Sequence, residues 1–304
     1  MQELLKELVE KHRKTTELGK VASYIPELEK TNPRNLGIYI LDNEGNEYFA
    51  GDYDNKFTVQ SISKVVALML AILDNGEEYV FSKVGMDPSG DPFNSIRKLE
   101  TSSRRKPYNP MINAGAIVVS SMIKGDDAKD KFNRLLEFFK KITEDPSLEL
   151  NPKVYLSESE TGNKNRAMWY YLKSEGIITG NVEEALEVYF KQCSIDVTAK
   201  TIAKLGLFLA NEGQTSTGEQ VVSNRVSRIV KTLMVTCGMY DNSGEFAVRV
   251  GLPSKSGVGG GIVSVVPHKM GIGIYSPALD QKGNPIAGVC LLEDLCNELK
   301  CRIF

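Results

Sequence analysis

Strand-like runs stand only at the two ends of this 304-residue chain, and helix-like periodicity fills the stretch between them. Near the start, Gly37 to Leu41 (GIYIL) and Glu47 to Gly51 (EYFAG) flank Asp42-Asn43-Glu44-Gly45, a hairpin signal. Near the end, Phe246 to Val250, Gly261 to Val266 and Gly271 to Tyr275 read as strands. Between them, residues 112–123, 128–142, 164–175, 182–192, 198–211 and 224–236 carry apolar residues at helical spacing. Residues 1–20 predict an amphipathic helix, broken at Tyr24-Ile25-Pro26, and 288–301 a final one. Ser61 to Leu73, SISKVVALMLAIL, predicts an apolar helix that Asn75-Gly76 stops. The simplest assembly is α+β: a mixed or antiparallel sheet built from both ends and flanked by the terminal helices. A helical subdomain of about 61–239 is inserted between sheet segments of about 1–60 and 240–304, with a cleft at the junction.

Charge and rare residues narrow the function. Lysine and arginine number 37 against 39 acids, a net charge of -2, so no basic excess points to nucleic acid. No run of 18 apolar residues predicts a membrane span, and the charged start MQELLKELVEKHRK does not read as a secretory signal. The five cysteines form no CxxC pair, and an odd count fits reduced thiols in a cytoplasm. Only His12 and His268 occur, a poor supply for a metal centre or a Ser-His-Asp triad. No cofactor is expected. A hydrolase built from this chain would take its base from lysine, tyrosine or a carboxylate.

Ser61 and Lys64 open the apolar helix, one turn apart, which brings their Cβ atoms to about 5–6 Å. A serine nucleophile needs a base. An apolar setting and the positive end of the helix dipole would both favour the neutral amine. The spacing alone is weak: Ser95/Lys98, Ser103/Lys106 and Ser121/Lys124 repeat it. Only Ser61 joins a helix N-terminus to a long apolar face. Later, Lys255-Ser256-Gly257 precedes Val258, three glycines and the strand-like IVSVV, where a backbone can approach a ligand closely. Together with Tyr240-Asp241-Asn242, these motifs resemble the serine β-lactamase and penicillin-binding superfamily.

The resemblance sharpens over about residues 24–267. Tyr24-Ile25-Pro26, Val59-Gln60-Ser61-Ile62-Ser63-Lys64, the run Pro107 to Ala116 (PYNPMINAGA) and Ser157-Glu158 through Asn165 stand in order. Tyr170-Tyr171-Leu172, Tyr189-Phe190 with Cys193-Ser194, Cys237-Gly238-Met239-Tyr240-Asp241, and Gly251-Leu252-Pro253 through Val258 follow. This series resembles the serine-dependent glutaminases, which share a β-lactamase-like fold. The resemblance implies one catalytic domain over 1–304 that hydrolyses L-glutamine through a γ-glutamyl-serine intermediate. It implies Ser61 as nucleophile, Lys64 as base and Tyr240 as proton relay, with the Ser61 and Val258 N–H groups as an oxyanion hole. Tyr24, Asn113, Glu158, Asn165, Tyr189 and Tyr240 would bind substrate, Glu158 meeting its ammonium and the two asparagines its carboxylate. A homodimer or homotetramer is implied as well.

Overall fold

A computed structural model describes residues 1–101 and 106–304, the side chains of Lys98 and Thr101 excepted. Ser103 and the Lys98 side chain, each half of a rival Ser-x-x-Lys pair, lie outside the described residues. Five antiparallel strands form the main sheet: β1 (Gly37–Asp42), β2 (Glu47–Gly51), β6 (Ser254–Ser256), β7 (Gly261–Val266) and β8 (Met270–Tyr275). Their order is β2-β1-β8-β7-β6, so the C-terminal strands dock directly on the N-terminal hairpin. A smaller sheet, ordered β3-β5-β4, joins β3 (Phe57–Thr58), β4 (Glu149–Leu150) and β5 (Ile195–Val197). The α+β class expected from the sequence is the observed one.

The pleat sorts the side chains of the main sheet onto two cores. Ile38, Ile40, Ile262, Ile272 and Ile274 face the terminal helices Gln2–Arg13 and Ile286–Leu299, packing with Leu5, Leu8, Leu291 and Leu295. Tyr39, Val263, Val265 and Tyr275 face the other way, toward helix Ala199–Ala210 and the buried face of helix Ser63–Asn75. Helix Ala199–Ala210 can lie on β8 because that strand offers glycine where the two backbones meet. A Cβ on Gly271 would fall 2.0 Å from the Ala203 carbonyl oxygen, and one on Gly273 the same distance from that of Ala199. Among the described residues no helix is long and apolar enough to cross a membrane.

One expected strand is a helix. Ser243–Arg249 is α-helical where Phe246 to Val250 read as a strand. Alternation would put residues 246, 248 and 250 on one face, yet Phe246 and Val250 are buried while Val248 is 80% exposed. Phe246 and Val250 are one helical turn apart, and that face meets the terminal-helix core.

Candidate active site

Ser61 lies in a 3-10 turn, Gln60–Ile62, that leads straight into helix Ser63–Asn75. Gln60 takes a left-handed backbone (φ 46°), unusual for a side chain of that size, so the turn holds Ser61 in a strained entry to the helix. The helix forms because residues 63–72 are all buried apolar or small groups apart from Lys64, and Gly76 (φ 83°) ends it by donating its N–H to the Ile72 carbonyl. Lys64 is 1% exposed. Its Nζ donates to Asn113 Oδ1 at 2.7 Å and to the Met111 carbonyl at 3.2 Å. That carbonyl is fixed in turn by buried Asn109, whose Oδ1 accepts from the N–H groups of Met111 and Ile112. Burial drives the Lys64 amine down to about 8, against smaller opposing pulls from Cys193 and Glu158.

A cavity of about 200 Å³ opens beside Ser61. Six of the residues singled out from the sequence line it together: Tyr24, Ser61, Asn113, Glu158, Asn165 and Tyr189. Glu158 projects from helix Pro152–Thr161, which starts with Asn151 accepting the Val154 N–H and proline in its first turn. It is 7% exposed, and its carboxylate accepts from Gln60 Nε2 at 3.4 Å. Burial pushes this acid up to about 8, with Gln60 and Lys64 pulling the other way. Asn113 heads helix Asn113–Ser121 and donates from Nδ2 to Asn165 Oδ1 at 3.2 Å, so the two amides form a pair across the cavity. Tyr189 is fully enclosed and its hydroxyl is pushed well up by burial. Tyr24 shows half its surface to solvent, yet its hydroxyl is enclosed enough for burial to raise it likewise.

Tyr240 and Val258 stand at the edge of this cavity. Tyr240 also has a left-handed backbone (φ 58°). Its hydroxyl donates to the Ser256 carbonyl at 3.2 Å and is held at about 12 by burial, moderated by hydrogen bonding to Ser61 and Ser256. Its ring packs on Phe93 at 4.5 Å between centroids, and Phe93 lines the cavity. Val258 lies on the adjoining groove that also includes Tyr24 and Phe93. Among the described residues its N–H has no hydrogen-bond partner. The glycines around it bring this loop onto the serine turn. A Cβ on Gly257 would lie 2.8 Å from the Val59 carbonyl oxygen and 3.3 Å from the Ser61 nitrogen, and one on Gly259 only 2.3 Å from the Thr58 carbonyl oxygen.

The structure therefore gathers every residue taken from the sequence into one neighbourhood. Beside them stand Gln60, Phe93, Cys193 and Lys255. Gln60, Cys193 and Lys255 belong to motifs already noticed, but only the folded chain shows Gln60 and Cys193 on the cavity wall and Lys255 over the Tyr240 ring. Among the described residues no three His, Cys, Asp or Glu side chains are grouped to hold a metal ion.

An enclosed pocket with a buried amine, a strained serine turn and an unpartnered backbone donor defines an enzyme site on an α+β scaffold. Comparison with known proteins gives the family: a model described as Glutaminase matches residues 19–304, and the chain belongs to the glutaminase family. It is 70% identical over 304 residues, the whole of both chains, to the glutaminase of Fusobacterium nucleatum. It is 56% identical over 305 aligned residues, again the whole of both, to glutaminase 2 of Clostridium perfringens. A crystal structure of Bacillus subtilis glutaminase in covalent complex with 5-oxo-L-norleucine, formed from 6-diazo-5-oxo-L-norleucine, superposes with a TM-score of 0.92 at 39% identity. That match covers 100% of this chain and 99% of the other.

Proposed function

We propose that the chain hydrolyses L-glutamine to L-glutamate and ammonia through a γ-glutamyl ester on Ser61, with Lys64 as base and Tyr240 as proton relay. The observation that carries this reading is how Lys64 is bonded. A neutral amine has two N–H bonds, and the Asn113 and Met111 oxygens accept two. The third position on that nitrogen is left for Ser61, as a lone pair that takes the serine proton and then as the N–H that hands it on, and burial favours the neutral form by penalising the charge.

The steps balance as follows. Ser61 Oγ bonds to the side-chain amide carbon and its proton passes to Lys64 Nζ. The carbonyl oxygen, now negative, meets the N–H groups of Ser61 and Val258, donors fixed in place before the charge develops. The C–N bond breaks as the Tyr240 hydroxyl gives its proton to the leaving nitrogen, and the Lys64 proton restores the phenol. Water then attacks the ester with the same amine as base, releasing glutamate and free serine.

At the far end of the cavity, Glu158 accepts the substrate ammonium, while Asn113 and Asn165 donate to its carboxylate and Tyr24 and Tyr189 close the sides. An uncompensated carboxylate in a small enclosed space favours a free amino acid over a peptide. The division into a sheet part of about 1–60 and 240–304 and a helical part of about 61–239, the cytoplasmic setting and assembly into dimers or tetramers belong to the same reading, supported by the family resemblance alone.

The test is to treat the protein with 6-diazo-5-oxo-L-norleucine and map the modified peptide, alongside ammonia release from glutamine by Ser61→Ala. The adduct should fall on Ser61, and the variant should bind glutamine without turning it over. An adduct elsewhere, or turnover by the variant, overturns the mechanism.

A further inference from the structure

Among the described residues, Lys255 is a buried amine near the cavity that the mechanism above leaves unused. Its residue is 0% exposed. The amine donates to the Gly238 carbonyl at 2.9 Å and to the Ser256 carbonyl at 2.6 Å, and it lies 4.2 Å from the centre of the Tyr240 ring. The Ser256 carbonyl is also the acceptor of the Tyr240 hydroxyl. Gly238 lies two residues before Tyr240, at the end of helix Asn224–Cys237, where the chain turns into the left-handed tyrosine. One amine thus ties the carbonyl just before the strained turn to the carbonyl that aims its phenol.

We propose that Lys255 is a positioning residue that holds Tyr240 in its left-handed conformation with the hydroxyl toward Ser61, and so supports departure of the amide nitrogen. This rests on the relay role given to Tyr240. Left-handed backbone at a non-glycine residue costs roughly 1–3 kcal/mol and persists only where its surroundings over-determine it. Here the surroundings are Lys255 above the ring and Phe93 on it. Gly238 tolerates no side chain, since a Cβ there would lie 1.8 Å from the Ser254 carbonyl oxygen, so the turn is pressed onto β6 where Lys255 begins its reach. The charged and titratable groups facing this pair are few: Lys64 and Cys237 toward Lys255, and Cys193 and Asp280 toward Tyr240.

The role separates leaving groups. An amide nitrogen departs only once protonated, whereas an alkoxide needs less help. Kinetics are therefore compared on L-glutamine and on the γ-methyl ester of L-glutamate, using Lys255→Met and Tyr240→Phe. Lys255→Met should lower kcat on glutamine by about 100-fold, the lower range for a positioned acid, with KM changed less than about threefold. Its loss on the ester should be at least tenfold smaller (about 1.4 kcal/mol less). Tyr240→Phe should show the same pattern, and the double variant should lose little more than Tyr240→Phe alone. Equal losses of Lys255→Met on both substrates mean a merely structural lysine and overturn the inference, as does wild-type turnover. Wild-type turnover by Tyr240→Phe instead overturns the relay itself. Should Lys255→Met not fold, Lys255→Gln, which keeps one amide donor near the carbonyls, is read by the same ratio.

Discussion

Lys64 and Glu158 are both held at about 8, from opposite sides, by the same cause. Burial penalises a charge of either sign, so it drags the amine down and the acid up. On the proposed mechanism each becomes competent on losing its proton: Lys64 as a neutral base, Glu158 as an anion for the substrate ammonium. Activity should therefore climb with pH through about 8, and kcat/KM should rise more steeply than one ionisation allows. A pH profile of ammonia release checks this; a flat response from pH 6 to 9, roughly the range in which such groups act, would contradict it. Glu158→Gln should flatten the rise to a single ionisation and raise KM roughly tenfold or more, since a hydrogen bond to a charged group is worth about 1.5–3 kcal/mol. An unchanged KM would remove Glu158 from the ammonium role. At this scale the order of motifs points to Ser61, Lys64, Asn113, Glu158 and Asn165, and the fold brings them together around one cavity. The same motifs put Lys255 beside Ser256 and Gly257. That its amine is buried against the tyrosine turn follows only from the packing of β6.

Among the elements, helix Ala199–Ala210 and β8 meet along a seam of glycines on both sides. Gly206 takes part from the helix side, where a Cβ would lie 2.9 Å from the Gly271 Cα. Gly273→Ala has no flexible neighbour to push aside, because its Cβ meets backbone on the helix. Overpacking of this kind costs about 1–3 kcal/mol and occasionally more. A urea titration of Gly273→Ala should show an unfolding free energy lowered by at least that much, and an unshifted midpoint would mean the helix can lift without cost. The long helices were readable from period alone, within a residue or two at their ends, except the first: expected over 1–20, it is α-helical over Gln2–Arg13 and continues as a 3-10 turn, Lys14–Leu18. Helix Pro152–Thr161 was overlooked although Asn151-Pro152 is a start signal, because its apolar residues form no continuous stripe. Strands β3, β4 and β5 have two or three residues each, too short for any alternation to declare itself. The strand expected at Phe246 failed because FAVRV fits both periods, and burial decided for the helix.

The whole molecule is closed by its ends. Strand β1 pairs with β8 in register from Gly37 opposite Tyr275 to Asp42 opposite Met270, contacts more than two hundred residues apart in sequence. The first helix covers that sheet with Leu5, Leu8 and Val9, all buried. Deleting residues 1–13 should therefore be severe: each such side chain is worth about 1.5–3 kcal/mol, against a total stability of roughly 5–15 kcal/mol. Loss of the folded circular-dichroism signal, or of soluble protein, is the expected result; a truncated chain that melts like the parent would contradict it. The general plan, strands at both ends and helices between, was visible in the sequence because it rests on periodicity summed over long segments. Which face of the sheet each helix covers was not, because that depends on glycines whose purpose appears only at contact.

The meeting of Gly257 and Gly259 with the serine turn has a temporal consequence. Ser61 is synthesised almost two hundred residues before the loop that packs against its turn. On the proposed mechanism, a nascent polypeptide carries its hydroxyl through that interval without the backbone donor at Val258. Partly made copies are then expected to consume no amino acid until the late strands are threaded home.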